Sequence, residues 1–236
     1  MILGTDAAGI DEEGKEVVVH SVVATPGWTG DETLDPKRSL FSELHQGTMA
    51  EKVAVPKRNV LPKPADLSFA EAACLPTAWL TAYRMLFVKS GLRPGQTVLV
   101  QGASGGVATA LIALGADQAF ETGARLPGRV DGVMETVGDA TWSHSIKSLK
   151  PGGVVVTSGA TTGFNPGAEL NRIFFTQLSV VGSTMGTRTE LESLIQMCSV
   201  TGVRPQIDVE LPLTQAREGF ERMLEGRTAG KIVFTL

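Results

Sequence analysis

The feature that most limits what this chain can become is a glycine-rich bend between an apolar run and a helix-forming run. Thr97-Val98-Leu99-Val100-Gln101 is a short apolar stretch of the kind that forms a strand buried on both faces. Gly102-Ala103-Ser104-Gly105-Gly106-Val107-Ala108 follows at once, and then apolar helix formers to Leu114. Gly102 permits a sharp turn. Gly105 and Gly106 carry no side chain, so the main chain can approach a diphosphate, and Ala108 is small where helix packs on strand. The helix N-terminus adds unpaired N–H groups and partial positive charge, which suit an anion. The competing reading is a merely structural turn; the strand–loop–helix setting favours nucleotide binding.

The flanking pattern extends this unit. Asp131–Glu135, Val154–Gly159 and Leu178–Ser183 read as strands, and Thr141–Leu149 and Thr189–Val200 as helices. Such alternation predicts an α/β fold with a parallel, Rossmann-type sheet. Residues 1 to about 65 are instead β-rich and irregular, with strands expected at Glu16–Val23 and Met49–Val55 around a polar loop. Ser68 and Glu71 form a capping-box signature. Pro76 should end or kink that helix, and a second should run from Thr77 to Ser90, closed by Gly91. The tail predicts a strand at Ile207–Leu211, a helix at Thr214–Glu225 and a strand at Lys231–Thr235.

Composition removes several function classes. With 42% hydrophobic and 19% charged residues the chain is globular rather than disordered. Its net charge of -4, without a Lys/Arg stripe, argues against nucleic acid as a partner. No apolar run approaches the roughly 18 residues of a membrane span, and the start shows no signal-peptide pattern, so a cytoplasmic protein is expected. Cys74 and Cys198 read as reduced, buried thiols, and His20, His45 and His144 are isolated, so no metal site is expected. The absence of a G-x-S-x-G elbow weighs against a hydrolase.

Leu75–Tyr83, Gly91–Val107, Leu149–Gly153, Ser158–Ala160 and Gly230–Phe234 together resemble the linker helix, cofactor loop and closing strand of zinc-independent, quinone oxidoreductase-like medium-chain dehydrogenase/reductases. The resemblance implies an incomplete GroES-like substrate domain at 1–72, a Rossmann cofactor domain at 73–200, and a return to the first domain at 201–236. It places Gly102, Ser104, Gly105, Gly106 and Val107 at the cofactor pyrophosphate. Thr81 would lie near the nicotinamide and is the one weak catalytic candidate. Thr136 and Gly138 would close over the cofactor, Ser158, Gly159 and Ala160 would line the nicotinamide pocket with Ser183 and Thr184 beyond, and Lys231 would reach a phosphate. For each, a small residue satisfying a turn or strand end is the rival reading. Tyr83, beside Trp79, is read as packing. Thr5, Asp6 and Thr77 stand where zinc-dependent relatives carry a His-Glu pair and a ligand cysteine, so no zinc is expected. A homodimer joined through Leu178–Ser183 is also implied.

The chain departs from this family in two places. Early strands of the substrate domain have no counterpart, and between Val100 and Phe120 there is room for only one strand and one helix, whereas a βαβ unit takes about 30 residues. The strand that normally ends at the ribose-reading residue is therefore missing. Residues absent from the sequence, truncation, or a shortened relative all account for this; the first two are favoured because deleting an inner strand exposes sheet edges. The residues do not choose between NAD and NADP; the resemblance leans to NADP. The expected activity is metal-independent hydride transfer to a quinone, enone or other small-molecule carbonyl. The alternative is a catalytically silent relative that acts in binding or assembly.

Overall fold

The computed structural model describes all residues, 1–236. In chain order the first stretch contains β1 (Ala7–Ile10), β2 (Glu16–Val19), β3 (Val22–Val23), β4 (Ser39–Leu40), β5 (Val60–Pro62) and α1 (Phe69–Ala73). A helical run follows, wide-wound at Leu75–Trp79, regular in α2 (Leu80–Tyr83) and wide again at Arg84–Lys89. Then come β6 (Val98–Val100), α3 (Gly106–Ala113), β7 (Val130–Glu135), α4 (Asp139–Ser148), β8 (Leu149–Thr157), α5 (Leu170–Phe175) and β9 (Ser179–Gly182). The chain ends with α6 (Arg188–Thr201), β10 (Ile207–Pro212), α7 (Ala216–Leu224) and β11 (Lys231–Thr235).

Two compact units result: Met1–Leu80 with Met185–Leu236, and Thr81–Thr184. The sequence reading put the boundaries at 72/73 and 200/201. The main difference is α6, which packs on the Leu75–Trp79 turn and so belongs with the first unit.

In the first unit, β1, β2 and β5 form an antiparallel sheet, β3 pairs with β4, and β10 pairs in parallel with β11. The β1–β2 turn is shaped by Asp11, whose carboxylate accepts the amides of Glu13 and Lys15 at 2.9 Å each. Glu16–Val23 is not one strand but two, β2 and β3, and Met49–Val55 forms no strand. The capping box forms as read: the Glu71 amide donates to Ser68 Oγ at 3.1 Å, and the Ser68 amide to Glu71 Oε2 at 2.7 Å. A second, at Thr187 and Glu190, opens α6, and Gly202 (φ 74°) closes it. Pro76 does not stop the helical run: it falls at the start of the wide turn, where its missing N–H is least needed.

The second unit is a four-stranded parallel sheet in the order β6-β7-β8-β9. Its core joins Val130, Val133, Ile146, Leu149, Val155 and Leu178. Each fully buried aliphatic side chain contributes roughly 1.5–3 kcal/mol. β6 corrects the sequence reading. It is an edge strand, and Val98, Leu99 and Val100 are only half-buried, because residues 115–129 supply no strand to lie outside it.

Candidate functional site

In the second unit the candidate residues gather where the parallel strands end, the usual ligand-binding side of such a sheet. After β6, Gly102 takes φ +76°, which only glycine adopts without strain, and its missing Cβ would lie 3.2 Å from Val137 Cγ2. Ser104 and Gly105 are exposed, and nothing lies within 4 Å of the place a Gly105 Cβ would occupy. Gly105 is the N-cap of α3, and no side chain caps that end. Ala108 and Ala110 are buried, which seats the helix on the sheet.

After β7, the Thr136–Gly138 turn is held by Glu135, which is 0% exposed. Glu135 Oε1 accepts the amides of Val137 (2.7 Å) and Gly138 (3.1 Å), and its carboxylate also accepts the hydroxyls of Thr141 (2.9 Å) and Ser145 (2.5 Å). Gln101 Nε2 donates to Ser145 Oγ at 2.9 Å and lies 2.9 Å from His144 Nδ1. The Glu135 carbonyl accepts the Ser158 amide at 3.1 Å. The buried carboxylate thus joins the turn after β7 to α4, reaches the end of β6 through Ser145, and leaves the link to β8 to the Glu135 main chain.

Close packing explains the glycines here. A Cβ on Gly138 (φ +91°) would meet the Gly163 carbonyl at 2.5 Å, and one on Gly159 would meet the Thr136 carbonyl at 2.9 Å. Ala160 lies against Gly138. After β9, the Ser183 amide donates to the Thr157 carbonyl at 2.8 Å, while the buried Ser183 Oγ has no hydrogen-bond partner. Thr184 is exposed. Thr81 is buried in α2, and one turn on, Met85 Sδ accepts the Ser158 hydroxyl at 2.9 Å. Tyr83 packs on Phe87, with ring centroids 5.1 Å apart.

Lys231 is in the first unit, with Nζ 3.7 Å from Asp6 Oδ2. Asp6 Oδ1 accepts the Thr77 hydroxyl, Thr77 Oγ1 is 3.3 Å from Thr5 Oγ1, and Ser21 Oγ donates to the Thr5 carbonyl at 2.8 Å. The three positions compared with metal ligands therefore do converge, as a hydroxyl–carboxylate cluster. Sequence reasoning missed the Glu135 network and the joining of Ser21 and Lys231 to this cluster. The one signal for Glu135 is an acid closing an apolar strand with hydroxyls six and ten residues on. Burial pushes the Cys74 thiol up to about 12 and Cys198 up to about 11, so neither is a nucleophile.

Residues 108–234 match the family model described as zinc-binding dehydrogenase. An acryloyl-coenzyme A reductase of Sulfurisphaera tokodaii is 26% identical over 99% of this chain and 83% of its own. That alignment runs over 279 positions, more than the 236 residues of this chain, so the relative carries residues inside it without counterpart here. A 2-methylene-furan-3-one reductase of Solanum lycopersicum is 32% identical over 84% of this chain, which spans 55% of that relative. A solved NAD-dependent alcohol dehydrogenase superposes with a TM-score of 0.91 at 28% identity, over 100% of this chain and 82% of its own. No helix is long and apolar enough to cross a membrane.

Proposed function

Because this chain belongs to the zinc-binding dehydrogenase family of medium-chain dehydrogenase/reductases, a family of oxidoreductases, we propose that it reduces a carbonyl-conjugated double bond, or a related carbonyl or quinone, with NAD(P)H. The observation that carries this reading is the glycine bend at the end of β6, opening into an uncapped helix on the ligand-binding side of a parallel sheet. Acryloyl thioesters and 2-methylene-furan-3-ones, named in the relatives, share an alkene next to a carbonyl.

The residues fit the cofactor. Open space at Gly105 leaves the first amides of α3 accessible to a diphosphate, and the orphaned Ser183 Oγ awaits a polar partner of the kind a carboxamide offers. Bound NAD(P)H would supply the hydride. Gly102, Ser104, Gly105, Gly106 and Val107 would hold its diphosphate, and Thr136, Gly138, Ser158, Gly159, Ala160, Ser183 and Thr184 its nicotinamide half. Thr81 would border the reacting ring.

The residues do not fit zinc. Two threonine hydroxyls are poor ligands, and the single carboxylate among them, Asp6, already holds Thr77 and faces the Lys231 ammonium. Activity is therefore expected to survive chelation, with no stoichiometric metal by mass spectrometry. A homodimer joined along β9 also belongs to this reading, supported by that strand's open edge and the exposed Val180, Phe174 and Phe175; light scattering at monomer mass would remove it.

Mixing the full chain with NADPH or NADH and a panel of enones, acryloyl thioesters and quinones tests the activity. Loss of nicotinamide absorbance is the expected result. Failure with every pair, together with no calorimetric cofactor binding, would hand the case to a silent binding protein, the reading that the open β6 edge favours.

A further inference from the structure

We propose that Gln101 and His144 position the diphosphate bend of the cofactor site, giving the end of β6 the lateral support that a second neighbouring strand would give; this rests on the reductase reading above. All the residues concerned lie in the second unit.

β6 is paired on one side only. The Thr97 carbonyl accepts the Gly132 amide at 3.2 Å, and the Gln101 amide donates to the Met134 carbonyl at 3.0 Å, so these residues spend their main-chain groups on β7. Direction alternates along a strand, and the main-chain groups of Val98 and Val100 therefore face the open edge. A bend that follows such a strand opens locally more easily than one flanked on both sides.

Side chains at the end of β6 supply what the edge lacks, and a count of hydrogens fixes their order. Ser145 gives its one hydroxyl hydrogen to Glu135 Oε2, so its oxygen is left to accept from Gln101 Nε2, 2.9 Å away. The second hydrogen on that nitrogen is directed at His144 Nδ1, also at 2.9 Å, which accepts. The His144 hydrogen is then on Nε2, 3.0 Å from the Ala124 carbonyl, a group that can only accept. One unbroken line of hydrogen bonds thus runs from Ala124 through His144 on α4 to Gln101, the residue before Gly102. It continues through Ser145 to the carboxylate that holds the Thr136–Gly138 turn. Leu126, two residues beyond Ala124, packs against the core of this unit, so packing fixes the 115–129 segment as well. Gln101 is only 3% exposed, and water is a poor substitute for its partners. A bend held in this way needs no ordering when a diphosphate arrives. Ordering even one further residue on binding costs about tenfold in affinity.

Calorimetry with NADP+ and NAD+, on the full chain without substrate, compares wild type with His144→Leu and His144→Gln. The nucleotide that wild type binds more tightly is expected to bind at least tenfold more weakly to His144→Leu. His144→Gln should recover most of the loss, because its amide can accept from Gln101 and donate to Ala124 at once. In the protein without cofactor, proton NMR should show the Gln101 side-chain amide protected from exchange, and exchanging faster in His144→Leu. If His144→Leu does not fold, Gln101→Met, of nearly the same volume, carries the same expectation for affinity. Affinity within twofold of wild type in the folded variant, or no recovery in His144→Gln, overturns the positioning role alone. A wild type that binds neither nucleotide overturns the reductase reading and this role with it.

Discussion

Glu135 and Asp6 are both carboxylates held by hydroxyls, in different units and in opposite settings. Glu135 is fully buried and surrounded by neutral donors from the turn after its own strand and from α4. Asp6 is half-buried, faces an ammonium, and passes its hydrogen bonding outward through two threonines. The first arrangement is closed: every donor meets an acceptor inside the fold, so its purpose is to fix the Thr136–Gly138 turn. The second is open: it ends at Thr5, which is only half-buried.

Removing each carboxylate is the strongest way to break this contrast. Glu135→Ala strands two amides and two buried hydroxyls, and is expected to cost about 3 kcal/mol in urea unfolding. Asp6→Ala frees groups that reach water and should cost about 1 kcal/mol. Equal losses would mean that Asp6 is as architectural as Glu135.

The glycines beside the two carboxylates sharpen the comparison at smaller size. Gly138 and Gly4 both have positive φ, at +91° and +96°. A Cβ on Gly138 meets main-chain oxygen at 2.5 Å, which cannot yield without moving the turn. One on Gly4 meets Thr48 Oγ1 at 2.6 Å, a side chain that yields by giving up its hydrogen bond to the Asp6 carbonyl, and the nearest main-chain atom is Met49 N at 3.2 Å. Gly138→Ala should therefore cost about 2 kcal/mol and Gly4→Ala about 1 kcal/mol by the same unfolding measurement.

What the sequence made legible follows the same line. The glycine bend, the capping box at Ser68, the strands β7, β10 and β11 and the later part of β8 depend on residues close in the chain and are readable there, whereas β8 itself begins earlier, at Leu149. Among the elements that differ, two do so for want of distant information. Val98–Val100 has the composition of a doubly buried strand, yet its burial depends on a neighbour the chain does not provide. Met49–Val55 alternates like a strand but finds no partner to pair with. At the candidate site, Thr5, Asp6 and Thr77 were visible one by one. Their meeting with Ser21 and Lys231 spans most of the chain, and spacing cannot report it.

The smallest expected effect asks whether closure, rather than membership of either unit, decides behaviour. His20 lies in the unit of Asp6 but resembles Glu135: it is 1% exposed, with Nε2 2.9 Å from the Gly186 carbonyl. Burial holds its pKa below the ordinary histidine value, outweighing the Gly186 carbonyl and Glu32, which favour the proton, while Arg188 and Arg58 act with burial. With a depressed folded pKa, the unfolded chain takes up the proton first as pH falls. Stability is therefore complete above about 6.5, the unfolded value, and declines as pH drops from there toward the folded pKa. Urea unfolding of His20→Gln across this window should show a shallower acid-side decline than wild type. An unchanged slope would mean that His20 titrates as it does in water, and that the unit of Asp6 is open at this position too.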